Sequence, residues 1–231
     1  RDLIVTGVQT CALPICFTGA FLIIFVVYTI STRSGRINIQ TMLLTGVMVS
    51  FIASSSMMLL MSVTSSENLH GIIFWIMGSL DEPDMSLIIL TLVVSVGSLV
   101  LSYLFVQPLN ALRLGEEKAK HLGINTDLAI KLLFLMASLL AGICVAVAGV
   151  IGFVGLIIPH LMRLLFGTDY RILLISSFLS GSIFLVISDV IARTIISPNE
   201  LPIGVITGIA GGIAFLLMMS RTSIRSLNKS R

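Results

Sequence analysis

Apolar runs of about twenty residues recur along this sequence, and charged residues concentrate in the breaks between them. Coiled as α-helix at about 1.5 Å per residue, such a run matches the hydrocarbon thickness of a bilayer. Hydropathy and breaks together define seven spans, at roughly 17–31, 41–63, 86–106, 128–150, 151–167, 172–192 and 203–220. Composition supports the same reading. Hydrophobic residues make up 56% of the chain and charged residues 11%, against about 25% charged in a soluble domain. The expected fold class is all-α, a polytopic membrane helix bundle with the lipid bilayer as its surroundings. No polybasic tract suggests a nucleic-acid partner.

The charges alternate along the chain. One set of breaks holds Arg33 and Arg36; then Arg113, Lys118, Lys120 and Lys131; then Arg163 and Arg171; then Arg221, Arg225, Lys229 and Arg231. Its acidic residues are Glu116, Glu117, Asp127 and Asp169. The other set holds Glu67, Asp81, Glu82, Asp84, Asp189 and Glu200, with Arg193 as its basic residue. Basic loops stay in the cytoplasm, so the first set and the C-terminus are expected there. The alternation agrees with seven crossings.

The fifth span is short and breaks at Gly152, Gly155 and Pro159. Membranes tolerate such breaks where protein or a water-filled cavity satisfies the freed backbone groups. Gly204, Gly208 and Gly212 recur at a spacing that lets helices approach closely. Cys11, Cys16 and Cys144 show neither a zinc spacing nor a C-x-x-C pair. His70, His121 and His160 are scattered, so no metal site is expected. Phe74 and Trp75 suit an aromatic anchor at the membrane surface.

Two groups of polar residues stand out. Residues 107–127 read QPLNALRLGEEKAKHLGINTD. Pro108 is expected to end the preceding span. Glu116, Glu117, Lys118, Lys120 and His121 then form a short polar helix, with Ala119 and Leu122 on its apolar side. Gly123 is placed to cap it. Such a helix can dock into a partner's groove, or it can be a solvated turn tied by a Glu116–Lys120 pair. Asp189 and Arg193 lie four apart near the outer end of a span, where pairing lowers the cost of membrane charge.

Four stretches resemble the FecCD-type permeases of ABC importers, which handle iron-siderophores, haem and cobalamin. Gly115 to Gly123 (GEEKAKHLG) is similar to the family's coupling segment, and Ile73 to Leu80 (IFWIMGSL) to an external segment. Gly149 to Arg163 (GVIGFVGLIIPHLMR) and Asp189 to Gly204 (DVIARTIISPNELPIG) resemble two further family blocks. Their order and spacing agree over about residues 17–220.

The resemblance implies a permease that pairs with a second copy or a paralogue around a central pathway for a metal chelate. Two ATPase subunits dock beneath it, and a substrate-binding protein docks outside. It assigns ATPase coupling to Gly115, Glu116, Glu117, Ala119, Leu122 and Gly123. It assigns binding-protein docking to Arg193, with Glu200 orienting the same loop, and a gate region to Asn38, Gln40 and Thr41. The expected location is the bacterial cytoplasmic membrane. No cofactor is expected on this chain, and ATP-Mg belongs to the partner ATPase. No G-x-x-x-x-G-K-[ST] stands in the sequence, so the chain is read as a transport subunit and not as an enzyme.

Val5 to Ile15 (VTGVQTCALPI) is similar to the translation of a sequencing-library adapter. Residues 1–15 are therefore expected to be non-native, the alternative being a short amphiphilic lead-in. Residues 16–231 are expected to be a partial permease domain, with about three of some ten family spans preceding it. Two rival functions stay open on the residues alone. An ion-coupled secondary transporter would usually show midplane charges or paired broken helices. A membrane-embedded enzyme would need converging His, Asp or Glu on facing spans.

Overall fold

The computed structural model describes residues 2–31, 39–81, 84–196 and 201–229. Among them the regular structure is helical throughout: α1 (Asp2–Ser31), α2 (Ile39–Val63), α3 (Ser66–Ile76), α4 (Met85–Leu104), α5 (Val106–Leu112), α6 (Glu116–His121), α7 (Thr126–Ala148), α8 (Val154–Phe166), α9 (Tyr170–Thr194) and α10 (Ile203–Lys229). Among the described residues, four helices are long and apolar enough to cross a bilayer: Gln40–Val63, Met85–Leu104, Thr126–Ala148 and Tyr170–Thr194. The other three expected spans are shorter apolar helices, Thr18–Ser31, Val154–Phe166 and Ile203–Met218. The polytopic helical reading therefore holds. The chain forms two compact units, one of residues 1–73 with 82–147, the other of 74–81 with 148–231.

In the first unit α1 packs on α2, and α7 comes so close to α1 that a side chain at Gly142 would lie 3.2 Å from the Ala20 methyl group. Asp84 caps α4 by accepting from the Ser86 N–H at 2.9 Å and from the Ser86 hydroxyl. The hydroxyl first, then the N–H, hold the Asp84 carboxyl below its ordinary value. The cap is thus complete above the usual carboxylate range, and is lost only as pH falls through the lowered value. Pro108 does not end the preceding span. α4 stops at Leu104, and Pro108 lies in the first turn of α5, where a missing N–H costs least.

The second unit is organised around two non-helical stretches. One follows α3 at Met77–Asp81; the other, Gly149–Phe153, precedes α8. They satisfy each other's backbone. Ser79 N–H donates to the Ala148 carbonyl at 3.0 Å, and Val150 N–H to the Ile76 carbonyl at 3.3 Å. Gly204 N–H, in the first turn of α10, donates to the Met77 carbonyl at 3.0 Å. Glycine is required at these crossings. A Cβ on Gly149 would lie 2.6 Å from the Trp75 carbonyl oxygen, and one on Gly204 2.2 Å from that of Met77.

The expected break is met at Gly152, which lies in the non-helical stretch, but not at the other two positions. Gly155 and Pro159 lie within α8, which runs unbroken from Val154 to Phe166. The turn is made before the helix, where Phe153 takes a left-handed conformation (φ 67°). At thirteen residues α8 is about 20 Å long, so it does not cross alone. The glycine seam is also shifted. Gly208 and Gly212 face open space, whereas a side chain at Gly211 would meet the Phe153 ring. Among the described residues of α10, Ile203, Thr207 and Gly211 are the buried positions, so the seam follows a spacing of four from Ile203.

Gly204→Val should destabilise the protein by about 1–3 kcal/mol, the usual cost of overpacking. Gly97, which has open space around it, should accept Ala without loss. Thermal unfolding in detergent compares them, and equal midpoints would refute the close-approach account.

Candidate functional site

Residues 115–123 form a short surface helix fixed at both ends. Gly115 enters it with φ 105° and ψ 151°, a conformation that side chains disfavour. Glu116 and Glu117 occupy the first turn and Lys118, Lys120 and His121 the last, each sign at the helix end that favours it. Lys120 Nζ meets Glu116 Oε1 at 2.7 Å. At the far end Gly123 N–H donates to the Lys120 carbonyl at 2.9 Å, and Ile124 N–H to the Ala119 carbonyl at 3.2 Å. Gly123 has φ 80°, which completes a Schellman cap. Asn125 Oδ1 then accepts from Leu128 N–H at 3.1 Å and starts α7.

Ala119 is 0% exposed and seats α6 against its surroundings; α5 and α6 are in contact. Leu122 does not share that seat, being 64% exposed. Ending the helix at His121 turns Leu122 away from the Ala119 face. Leu114, on the other side of α6, is exposed as well. The outer surface of the segment therefore offers carboxylates flanked by two free leucines.

Arg193 lies in the last turn of α9. Its Nε donates to Asp189 Oδ2 at 2.9 Å, and its Nη2 stands 3.9 Å from Asp81 Oδ1. The guanidinium is thus shared between its own helix and the segment after α3. Sequence spacing foresees the first pair but not the second, since no local pattern brings residue 81 to residue 193. Trp75 and Phe74 are exposed on α3. Glu200 and Asn38 lie outside the described residues. Gln40 and Thr41 sit in the first turn of α2.

Next to them Met42 and Leu43 begin the wall of an open cavity of about 960 Å³ in the first unit. α1, α2 and α7 line it, and its sides are apolar apart from Ser50, Ser54 and Ser138. This cavity has no counterpart in sequence reasoning, although Gly46, Ser50 and Ser54 mark one face of α2 at a spacing of four. Among the described residues, no group of three or more His, Cys, Asp or Glu could hold a metal ion.

Comparison with known proteins gives concordant matches. The model of the FecCD transport family matches residues 3–221. The hemin transport system permease protein HmuU of Yersinia pestis is 35% identical over 89% of this chain and 61% of its own length. The cobalamin import system permease protein BtuC of Halobacterium salinarum is 38% identical over 98% of this chain and 59% of its own length. The chain thus spans about three-fifths of these curated relatives. A solved structure described as a metal-chelate type ABC transporter, inward-facing, superposes with a TM-score of 0.78. It is 28% identical and covers 89% of this chain and 72% of its own.

The geometry separates scaffold from surface within 115–123. Ala119→Leu should cost about 1–3 kcal/mol by overpacking its seat. Glu116→Gln breaks a pair whose side chains are 41% and 44% exposed, so solvent screening should hold its cost to about 0.5 kcal/mol or less. Thermal unfolding of the two variants tests this; equal losses would show that Ala119 is not the seat.

Proposed function

The chain belongs to the FecCD transport family, and from that membership we propose that it is the permease part of an ATP-driven importer for metal chelates, the iron-siderophore class foremost. It does so as a multi-pass protein of the bacterial cytoplasmic membrane with its C-terminus inside. Two ATPase subunits act from the cytoplasm, a second permease copy or paralogue completes the pathway, and an external binding protein delivers the chelate. ATP and Mg are handled by the ATPase chains.

The observation that carries this reading is the capped helix α6. A six-residue helix is too short to persist alone. Here Gly115, the Schellman cap and the buried Ala119 hold it as one rigid knob, and Asn125 starts α7 directly behind it. A push on Glu116, Glu117 or Leu122 would be passed to α7, whose side chains Ile130, Leu133, Phe134 and Ser138 line the cavity. The cavity suits the pathway in this reading. Its apolar wall with scattered hydroxyls offers no fixed charge to trap a passing chelate. Gln40 and Thr41, at the start of α2, are its candidate gate.

On the outer side, the proposal gives Arg193 to the binding protein. An incoming carboxylate would compete with the exposed Asp81, which stands farther from the guanidinium than Asp189 does, while Asp189 keeps the guanidinium in place. Glu200 is proposed to orient the same loop.

Two measurements test these roles in the assembled transporter. Glu116→Gln with Glu117→Gln should leave ATP hydrolysis running while chelate uptake falls about tenfold or more; uptake still coupled as in the parent would remove α6 from the mechanism. Arg193→Glu should weaken binding-protein affinity by about tenfold or more, equivalent to the 1.4 kcal/mol or more of a lost interfacial charge contact. Unchanged affinity would leave Arg193 a purely structural cation.

A further inference from the structure

The tip of the α8–α9 hairpin carries two arginines that the transport reading does not use. Arg163 lies in the last turn of α8 and Arg171 in the first turn of α9. The hairpin beneath them is firmly packed, with Ile158 and Met162 of α8 buried against Leu173 of α9 and flanked by Tyr170 and Phe184. Arg163 is oriented by Tyr170: its Nη2 donates to the phenol oxygen at 3.4 Å, and the guanidinium stands 6.0 Å from the ring centre. Asp169 accepts from the Arg171 backbone N–H at 3.0 Å and so caps α9. Among the described residues, neither Arg163 nor Arg171 forms an ion pair.

Between the arginines the chain presents an apolar run at the end of α8 and then the exposed Thr168 and Asp169. Leu164, Leu165 and Phe166 are 62%, 65% and 57% exposed. Three consecutive helical residues point about 100° apart, so they form a collar around the end of α8 and not a stripe. A folded partner meets one face of a helix; fluid acyl chains coat all of it. Arg171 begins a membrane-crossing helix, which sets the tip at a bilayer surface, and the basic loops assign that surface to the cytoplasm. We propose that the α8–α9 tip binds an anionic phospholipid of the cytoplasmic leaflet, its phosphate on Arg163 and Arg171 and its acyl chains against the Leu164–Phe166 collar. Guanidinium donors fit a phosphate, and free phosphate would leave the collar unused. This site rests on the membrane reading of α9 and not on the cargo.

The test uses the permease in nanodiscs of equal parts phosphatidylglycerol and phosphatidylcholine. Released into native mass spectrometry, it should retain phosphatidylglycerol over phosphatidylcholine by about tenfold, since each surface arginine favours anionic lipid. The R163Q/R171Q double variant should approach parity, while R113Q keeps the preference. A headgroup-photoactivatable phosphatidylglycerol should label residues 163–172 of the unaltered protein, which decides the matter even if the double variant does not fold. No preference in the parent, a preference untouched by the double variant, or label elsewhere would overturn the site. So would labelling abolished once the ATPase subunits are bound, because the surface would then be theirs.

Discussion

A peptide group inside a bilayer has no water to bond, so any chain that leaves the helix there must find its partners within the protein. Among the described residues, the non-helical stretches after α3 and before α8 meet that demand by supplying each other's backbone partners. Ser79 uses the Ala148 carbonyl, Val150 uses that of Ile76, and Gly204 uses that of Met77. Gly149 and Gly204 make the approach feasible by lacking the side chains that would collide. The short α8 depends on this crossing. So do the start of α10 and the course of the segment that brings Asp81 to Arg193.

The segment 115–123 solves the reverse problem. It stands at the surface, where water will satisfy its backbone, and its difficulty is staying folded at six residues. Caps at both ends and one buried methyl group, Ala119, replace the length it lacks. The result is a small rigid body with charges outside. It can carry force in a way that a mobile loop of the same composition cannot.

Much of this was legible in the residues. Hydropathy places the second span at 41–63, and the helix runs Ile39–Val63. Spacing of four foresees the pairs Glu116–Lys120 and Asp189–Arg193, because both depend on one helix alone. Gly123 is likewise read from local rules. The misreadings share a cause. Whether Gly208 or Gly211 faces a neighbour depends on which side of α10 meets Phe153, and Leu122 parts from Ala119 because the helix stops between them. Pro108 is expected to end a span and Pro159 to break one, yet the first enters a first turn and the second is carried within a packed helix. Contacts distant in sequence decide each of these, and periodicity does not contain them.

The Met77–Gly204 bond has a consequence for synthesis. A chain is made from its N-terminal end, and all of α4 to α9 lies between these two residues. Until α10 emerges, the Met77 carbonyl lacks its mate, and until α7 is complete, so does Ser79. Segment 77–81 therefore has reason to wait in contact with water. On this account the turn after α3 is among the last parts of the protein to settle, although it is among the earlier ones made.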